Sequence, residues 1–169
     1  MHLDLSATLN LISTLAIVGA LIFAGLQVRQ ANLARRDQAA MTVIMTALSE
    51  NSARALDMFP QIPENASPAT IDNLDTETKH VLLEFGLRFE VIGYMAFRGL
   101  VELKTVNDLA GGTVIGFWSR IKAWVELRRE QTGHSEFYEW FEWLTERIIR
   151  LRATEPYVPA YARGADRRA

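Results

Sequence analysis

A chain of 169 residues with no cysteine and three histidines has few places for reaction chemistry. Its one metal-type spacing is Glu77-Thr78-Lys79-His80. Glu-x-x-His sets a carboxylate and an imidazole on one helical face. A di-metal bundle needs that motif on two helices and a Glu from each of two more. The remaining histidines, His2 and His134, form no second motif, so surface helix charge is the plainer account. Glu136, Glu139, Glu142 and Glu146 line much of one flank of a C-terminal helix, with Arg147 and Arg150 beyond. Such carboxylates can take a cation or move a proton. With Glu146 and Arg150 four apart, a solvated, salt-bridged face is the expected arrangement. There is no glycine loop after a strand, no nucleophile elbow and no Cys/His dyad. Thr113-Val114-Ile115-Gly116 after two glycines is too weak a pattern for a nucleotide site. No catalytic, cofactor-binding or metal-ligating residue is assigned, and neither a cofactor nor an enzyme is expected.

The aromatic residues are more informative. Trp118, Trp124, Phe137, Tyr138, Trp140, Phe141 and Trp143 fall within 26 residues. Trp124, Phe137 and Phe141 fit core stripes, whereas Trp140 and Trp143 lie off the stripe of their helix, among glutamates. Packing on a second core face is one reading. A partner surface is the other, and acidic neighbours disfavour an anionic lipid surface there. Trp140 and Trp143 are therefore candidate partner residues.

These groups need helices to position them, and the periodicity supplies them. Gln27 to Met58 has no Gly or Pro and is rich in Ala, Leu, Met, Gln and Arg, which predicts a long helix. Pro60, Pro63 and Pro68 then break the chain. A second helix is expected over Leu74–Leu103, capped by Asp72 or Asn73, with Leu82, Phe85, Phe89, Ile92, Ala96, Gly99 and Leu103 as its apolar stripe. Gly86 and Gly93 lie seven apart beside that stripe. Each glycine costs a helix about 1 kcal/mol, so the pair points to a close helix crossing. Lys104–Gly112 looks like a connector broken at Gly111-Gly112. A helix is expected over Thr113–Gln131, closed by Thr132-Gly133. The last helix is expected to be capped by Ser135 and to carry Phe137, Phe141, Leu144, Ile148 and Leu151. No sustained alternation of period two is present, so no sheet is expected. Thr154 to Ala169 reads as a flexible tail, with Pro156-Tyr157-Val158-Pro159 matching P-x-x-P.

The N-terminus carries the strongest single signal. Leu5 to Val28 is an uncharged run of 24 residues. A helix of that length reaches roughly 36 Å, against a hydrocarbon core of about 30 Å. The rivals are a buried core helix and a cleaved signal peptide. The signal peptide needs a basic n-region, and Met1-His2-Leu3-Asp4 offers no Lys or Arg. Arg29, Arg35 and Arg36 follow the run while only Asp4 precedes it. This flank predicts a cytoplasmic C-terminal domain by the positive-inside rule. Ala16, Ala20 and Ala24 recur every four residues with Gly19 beside them, a spacing that lets another membrane helix approach closely.

Gly25-Leu26-Gln27-Val28-Arg29-Gln30-Ala31-Asn32-Leu33-Ala34-Arg35-Arg36 resembles a loose group of small uncharacterised bacterial membrane proteins. In that group a single N-terminal anchor runs into a Gln/Arg-rich helix and an all-helical cytoplasmic domain. Phe117-Trp118 and Phe137 are similar to its C-terminal half. The resemblance implies topology and brings no activity.

The expectations are these. The fold is all-α, with a transmembrane helix continuing into a bundle of about four helices. The parts are 1–28 (anchor), 29–152 (bundle) and 153–169 (tail). The protein is a non-enzymatic accessory or structural protein of the bacterial inner membrane. Its partners are membrane lipid and either another membrane protein or a second copy. The alternative is a membrane-anchored sensor whose bundle binds a small ligand. A net charge of −2 argues against nucleic acid.

Overall fold

The computed structural model describes residues 9, 13–31, 38 and 50–162. The chain divides into two compact units, Met1–Ala39 and Ala40–Ala169. In the first, helix α1 (Ser13–Ala31) has a mean hydropathy of 1.4 and is not buried, so it is long and apolar enough to cross a membrane. The expectation of one helix continuing to Met58 falls largely on residues 32–37 and 39–49, which lie outside the described residues.

The second unit is all-α, with no strand among the described residues. Its helices are α2 (Glu50–Met58), α3 (Pro68–Asp72), α4 (Thr76–Phe97), α5 (Leu103–Thr132) and α6 (Glu139–Thr154). Single 3-10 turns lie at Phe59–Gln61 and Ala160–Ala162. Helix α6 packs against both α4 and α5, while α2 sits on α4 and α3 on α5.

The core is aromatic at its centre. Phe85 and Phe89 of α4 meet Phe117 of α5 and Phe141 of α6. Ring centroids are 5.2 Å apart for Phe85–Phe117, 5.0 Å for Phe89–Phe141 and 5.8 Å for Phe117–Phe141. Phe117, Phe141, Leu144 and Ile148 are wholly buried, each contributing about 1.5–3 kcal/mol through area removed from water. Phe59 extends the cluster from the 3-10 turn, 5.9 Å from Phe117.

The proline-rich break is tied down rather than loose. Asn65 N–H donates to Ser119 O at 2.9 Å, and Arg120 Nε donates to Ile62 O at 2.8 Å. Ile71 is buried. Asp72 Oδ1 accepts from Trp124 Nε1 at 2.9 Å and from Arg128 Nη2 at 2.6 Å. The Trp124 N–H, with Arg128, holds the Asp72 carboxyl below the usual carboxylate range. Asp72 therefore latches α3 to α5. The cap of α4 is Asp75, which accepts from Thr78 N–H at 2.9 Å.

Helix α4 starts at Thr76 with Asp75 as its cap, not at Leu74 with Asp72 or Asn73, because Asp72 is engaged by Trp124 and Arg128 of α5. Three further element boundaries differ from the sequence expectation. Helix α4 stops at Phe97 because Gly99 takes a left-handed conformation (φ 67°). Gly99 N–H then reaches Ala96 O at 3.0 Å and Leu100 N–H reaches Met95 O at 2.9 Å, the paired bonds of a Schellman stop. The connector at Lys104–Gly112 does not exist: α5 runs unbroken through Gly111-Gly112. A side chain at Gly111 would meet Asn107 Oδ1 at 2.5 Å and Arg152 Nη2 at 2.7 Å. Gly111 thus leaves room for the hydrogen bond from Arg152 Nε to the buried Asn107 Oδ1, 2.7 Å long, which joins α6 to α5. The third boundary is the start of α6, at Glu139 instead of near Ser135. Beyond α6, Arg152 lies over the Tyr157 ring and Lys104 pairs with Glu155 at 3.0 Å.

The two adjacent glycines give a paired prediction. Open space surrounds Gly112. Gly112→Ala is expected to raise stability by about 0.5–1 kcal/mol through helix propensity. Gly111→Ala, despite the same propensity gain, is expected to lower it by displacing Asn107 and Arg152. Denaturant midpoints of the two variants check this; equal gains would contradict the role given to Gly111.

Candidate interaction surface

Helix α6 starts without a cap of its own. Tyr138, its N-cap residue, sits in the left-handed region (φ 57°) and offers no side-chain bond to the first turn. Glu90 of α4 replaces the cap, its Oε2 accepting from Phe141 N–H at 2.8 Å, with a further backbone bond from Trp140. Two of the orphan donors at a helix start are thus satisfied from another helix. Burial is the largest influence on Glu90 and pushes its carboxyl above the usual range against the pull of those donors. Arg129 of α5 holds the same turn, donating through Nε to Phe137 O at 2.8 Å and through Nη1 to Glu142 at 2.6 Å.

Gly86 and Gly93 line this contact. The Tyr138 ring lies over Gly86, where a Cβ would meet its Cζ at 2.9 Å, and the Tyr138 hydroxyl donates to Leu83 O at 2.6 Å. At Gly93 a Cβ would meet the Trp140 carbonyl, its carbon at 2.7 Å. The backbone of α6 therefore lies directly on α4 at Gly93.

With that edge of α4 against α6 and the Leu82/Phe85/Phe89/Ile92 stripe in the core, the face opposite the stripe is left in solvent. Leu83, Leu87, Val91 and Tyr94 fall within an arc of about 80°. Leu87 is 56% exposed, Val91 49% and Tyr94 42%. Phe97 and Leu100 extend the apolar surface past the end of the helix, each half exposed. A contiguous exposed apolar patch on a helix marks an interaction site. The sequence reading missed this face. Its signal was present: a second apolar row, Leu83/Leu87/Val91/Tyr94, accompanies Leu82/Phe85/Phe89/Ile92 at the same three-four spacing and makes α4 apolar on two sides without making it a membrane span.

Trp140 and Trp143 adjoin the end of that face and are half-buried. Trp140 packs on Phe97 at 4.6 Å and on Tyr94 at 5.6 Å, and Trp143 meets Phe97 edge-on at 5.6 Å. They support Phe97 and Tyr94 from below, so the more open surface is on α4. At the other end, Leu83 belongs to an open groove of about 410 Å³ with Trp124, Arg128, Thr132, His134, Glu136 and Phe137. Its Arg128 is already engaged by Asp72 and lies over Trp124 at 5.2 Å.

Elsewhere, Ala16, Gly19, Ala20 and Ala24 lie exposed on α1, with nothing within 4 Å of a Cβ built at Gly19. Arg29 is exposed at the C-terminal end of α1, and Arg35 and Arg36 lie outside the described residues. His80 is exposed, and the described residues hold no group of three His, Cys, Asp or Glu placed for a metal.

Comparison with known proteins gives one family. Residues 14–148 match the model of DUF4760, a domain of unknown function. No curated protein and no solved structure matches the chain.

Two predictions follow from the α4–α6 contact. Gly93→Ala is expected to cost about 1–3 kcal/mol, because the obstructing atoms are backbone and cannot rotate away; an unchanged denaturant midpoint would contradict the contact. The raised folded-state pKa of Glu90 means the unfolded chain releases that proton first. Its contribution is full below the unfolded value and declines as pH rises through the folded one. The stability of wild type minus that of Glu90→Gln is therefore expected to shrink as pH rises above the ordinary glutamate range; a difference that widens would overturn the assignment.

Proposed function

The chain belongs to the DUF4760 family, and on that premise we propose that it is a membrane-anchored, non-enzymatic accessory protein. It acts by contact, binding another membrane protein or a second copy of itself. The observation that carries this reading is the exposed apolar face of α4 (Leu83, Leu87, Val91, Tyr94), a contiguous patch of the kind that often serves as a contact surface. Helix α1 serves as a single-pass anchor in the bacterial inner membrane. The basic residues that follow it, Arg29, Arg35 and Arg36, favour a cytoplasmic location for the helical unit. The small-residue row Ala16/Ala20/Ala24 with Gly19 is a supplementary contact inside the bilayer.

A second reading rests on the groove beside Leu83. Its apolar floor of Trp124 and Phe137, rimmed by Arg128, His134 and Glu136, is of a size that takes a small ligand. In that reading the protein is a membrane-anchored sensor. The Asp72–Arg128 bond argues for the contact reading, because the principal cation of the groove is already neutralised.

The test is the size of the tagged full chain extracted in mild detergent. A complex larger than one chain is expected, and Leu87→Arg is expected to dissolve it while leaving the helical circular-dichroism signal unchanged. A lone monomer for the wild-type chain would contradict the proposal.

A further inference from the structure

We infer that the partner seated on α4 is a second copy of this chain, with the two α4 helices antiparallel and Leu87 on the two-fold axis. This rests on the contact reading above and names its partner. The outward row of α4 is Thr76, His80, Leu83, Leu87, Val91, Tyr94 and Arg98. Its steps run four, three, four from Thr76 to Leu87 and four, three, four from Leu87 to Arg98. The row therefore has the same spacing read from either end. Turned about Leu87, it sets Leu87 on Leu87, Leu83 on Val91, His80 on Tyr94, and Thr76 beside Arg98. An isologous two-fold contact requires that a surface complement itself in this way.

Composition follows the same symmetry. The three central positions are aliphatic, and polar residues close both ends. Charge agrees with the antiparallel direction. The N-terminal end of α4 carries Asp75 and Glu77, and the C-terminal end carries Arg98, which leans on Tyr94 with its Nη1 2.7 Å from the hydroxyl. Antiparallel pairing brings Glu77, which lies 3.5 Å from Arg54 of its own chain, near Arg98 of the other copy, and opposes the two helix dipoles favourably. Parallel pairing would stack like ends.

Area agrees as well. The exposed Leu83, Leu87, Val91, Tyr94 and Phe97 offer on the order of 500 Å² per copy, so a pair would cover at most about 1,000 Å², the size of a weak, transient interface. Two copies anchored in one membrane meet at raised effective concentration, which suits a contact of that size. An anionic membrane finds no cationic surplus on this face, because Asp75, Glu77 and Glu84 offset Lys79, Arg88 and Arg98 beside the row.

The chain has no cysteine, so single cysteines report the geometry directly. Full-length Leu87→Cys, Leu83→Cys and Val91→Cys are each oxidised mildly in native membranes and scored for disulfide dimer. Leu87→Cys is expected to dimerise with itself, at about tenfold the yield of Leu83→Cys alone, because disulfide geometry is narrow. Co-expressed Leu83→Cys and Val91→Cys are expected to join to each other. A strong Leu83→Cys self-dimer would overturn the antiparallel register. Absence of every disulfide, while the wild-type chain still runs in a larger complex that Leu87→Arg dissolves, would overturn self-pairing and leave the contact reading standing with a different partner. Absence of both would remove the two together.

Discussion

Helix α6 begins against α4 with donors that its own residues do not cap, and the carboxylate of Glu90 accepts them across the helix–helix boundary. Everything else in the helical unit accommodates this arrangement. For Glu90 to reach Phe141 N–H, the backbones must nearly touch, which only glycine at Gly93 permits. For the chain to turn into α6 there, Tyr138 must take a left-handed conformation and lay its ring across Gly86. Arg129 then holds the turn from α5. The contact sets the rotation of α4 about its own axis. Once Gly86, Gly93 and the phenylalanine row face inward, Leu83, Leu87 and Val91 have nowhere to point but outward.

The proposed contact function rests on that geometry rather than on a reaction centre. Burying Leu87 and Val91 within the unit would leave Glu90 away from α6 and put glycines on the surface. The apolar face is thus a by-product of how α6 is held, and its composition of Leu, Leu, Val and Tyr, rather than charged residues, is the ground for proposing a partner. The proposed second copy fits this face: the row has the same spacing read from either end, and the proposed anchor would bring copies together in a single plane.

Much of the architecture was legible from residue spacing. The all-helical class, the membrane-length N-terminal helix and the stripe Leu82/Phe85/Phe89/Ile92 all follow from periodicity and length. What was not legible depended on residues distant in sequence. Gly111-Gly112 reads locally as a break, and only Arg152, from another helix, explains why one of them is a packed helical position. Ser135 reads locally as a cap, and only Glu90, 51 residues before the Phe141 N–H that it accepts from, shows that the cap is supplied elsewhere. Trp140 and Trp143 stood out by sitting off the core stripe, but Phe97 and Tyr94 half-cover them. Attention to the strongest stripe of α4 hid the second one beside it. The Ala16/Ala20/Ala24 row was legible as a pattern, and its role belongs with the membrane contact proposed for α1.

The central claim is that the outer face of α4 meets the same face of another copy. Its most direct measurement is the spin–spin distance between nitroxides attached through Leu87→Cys in the full chain, reconstituted in lipid vesicles. Adjacent helix axes lie about 8–10 Å apart, so a single short distance on the order of 10–20 Å is predicted. Labels with no dipolar coupling beyond random two-dimensional encounters would contradict the account.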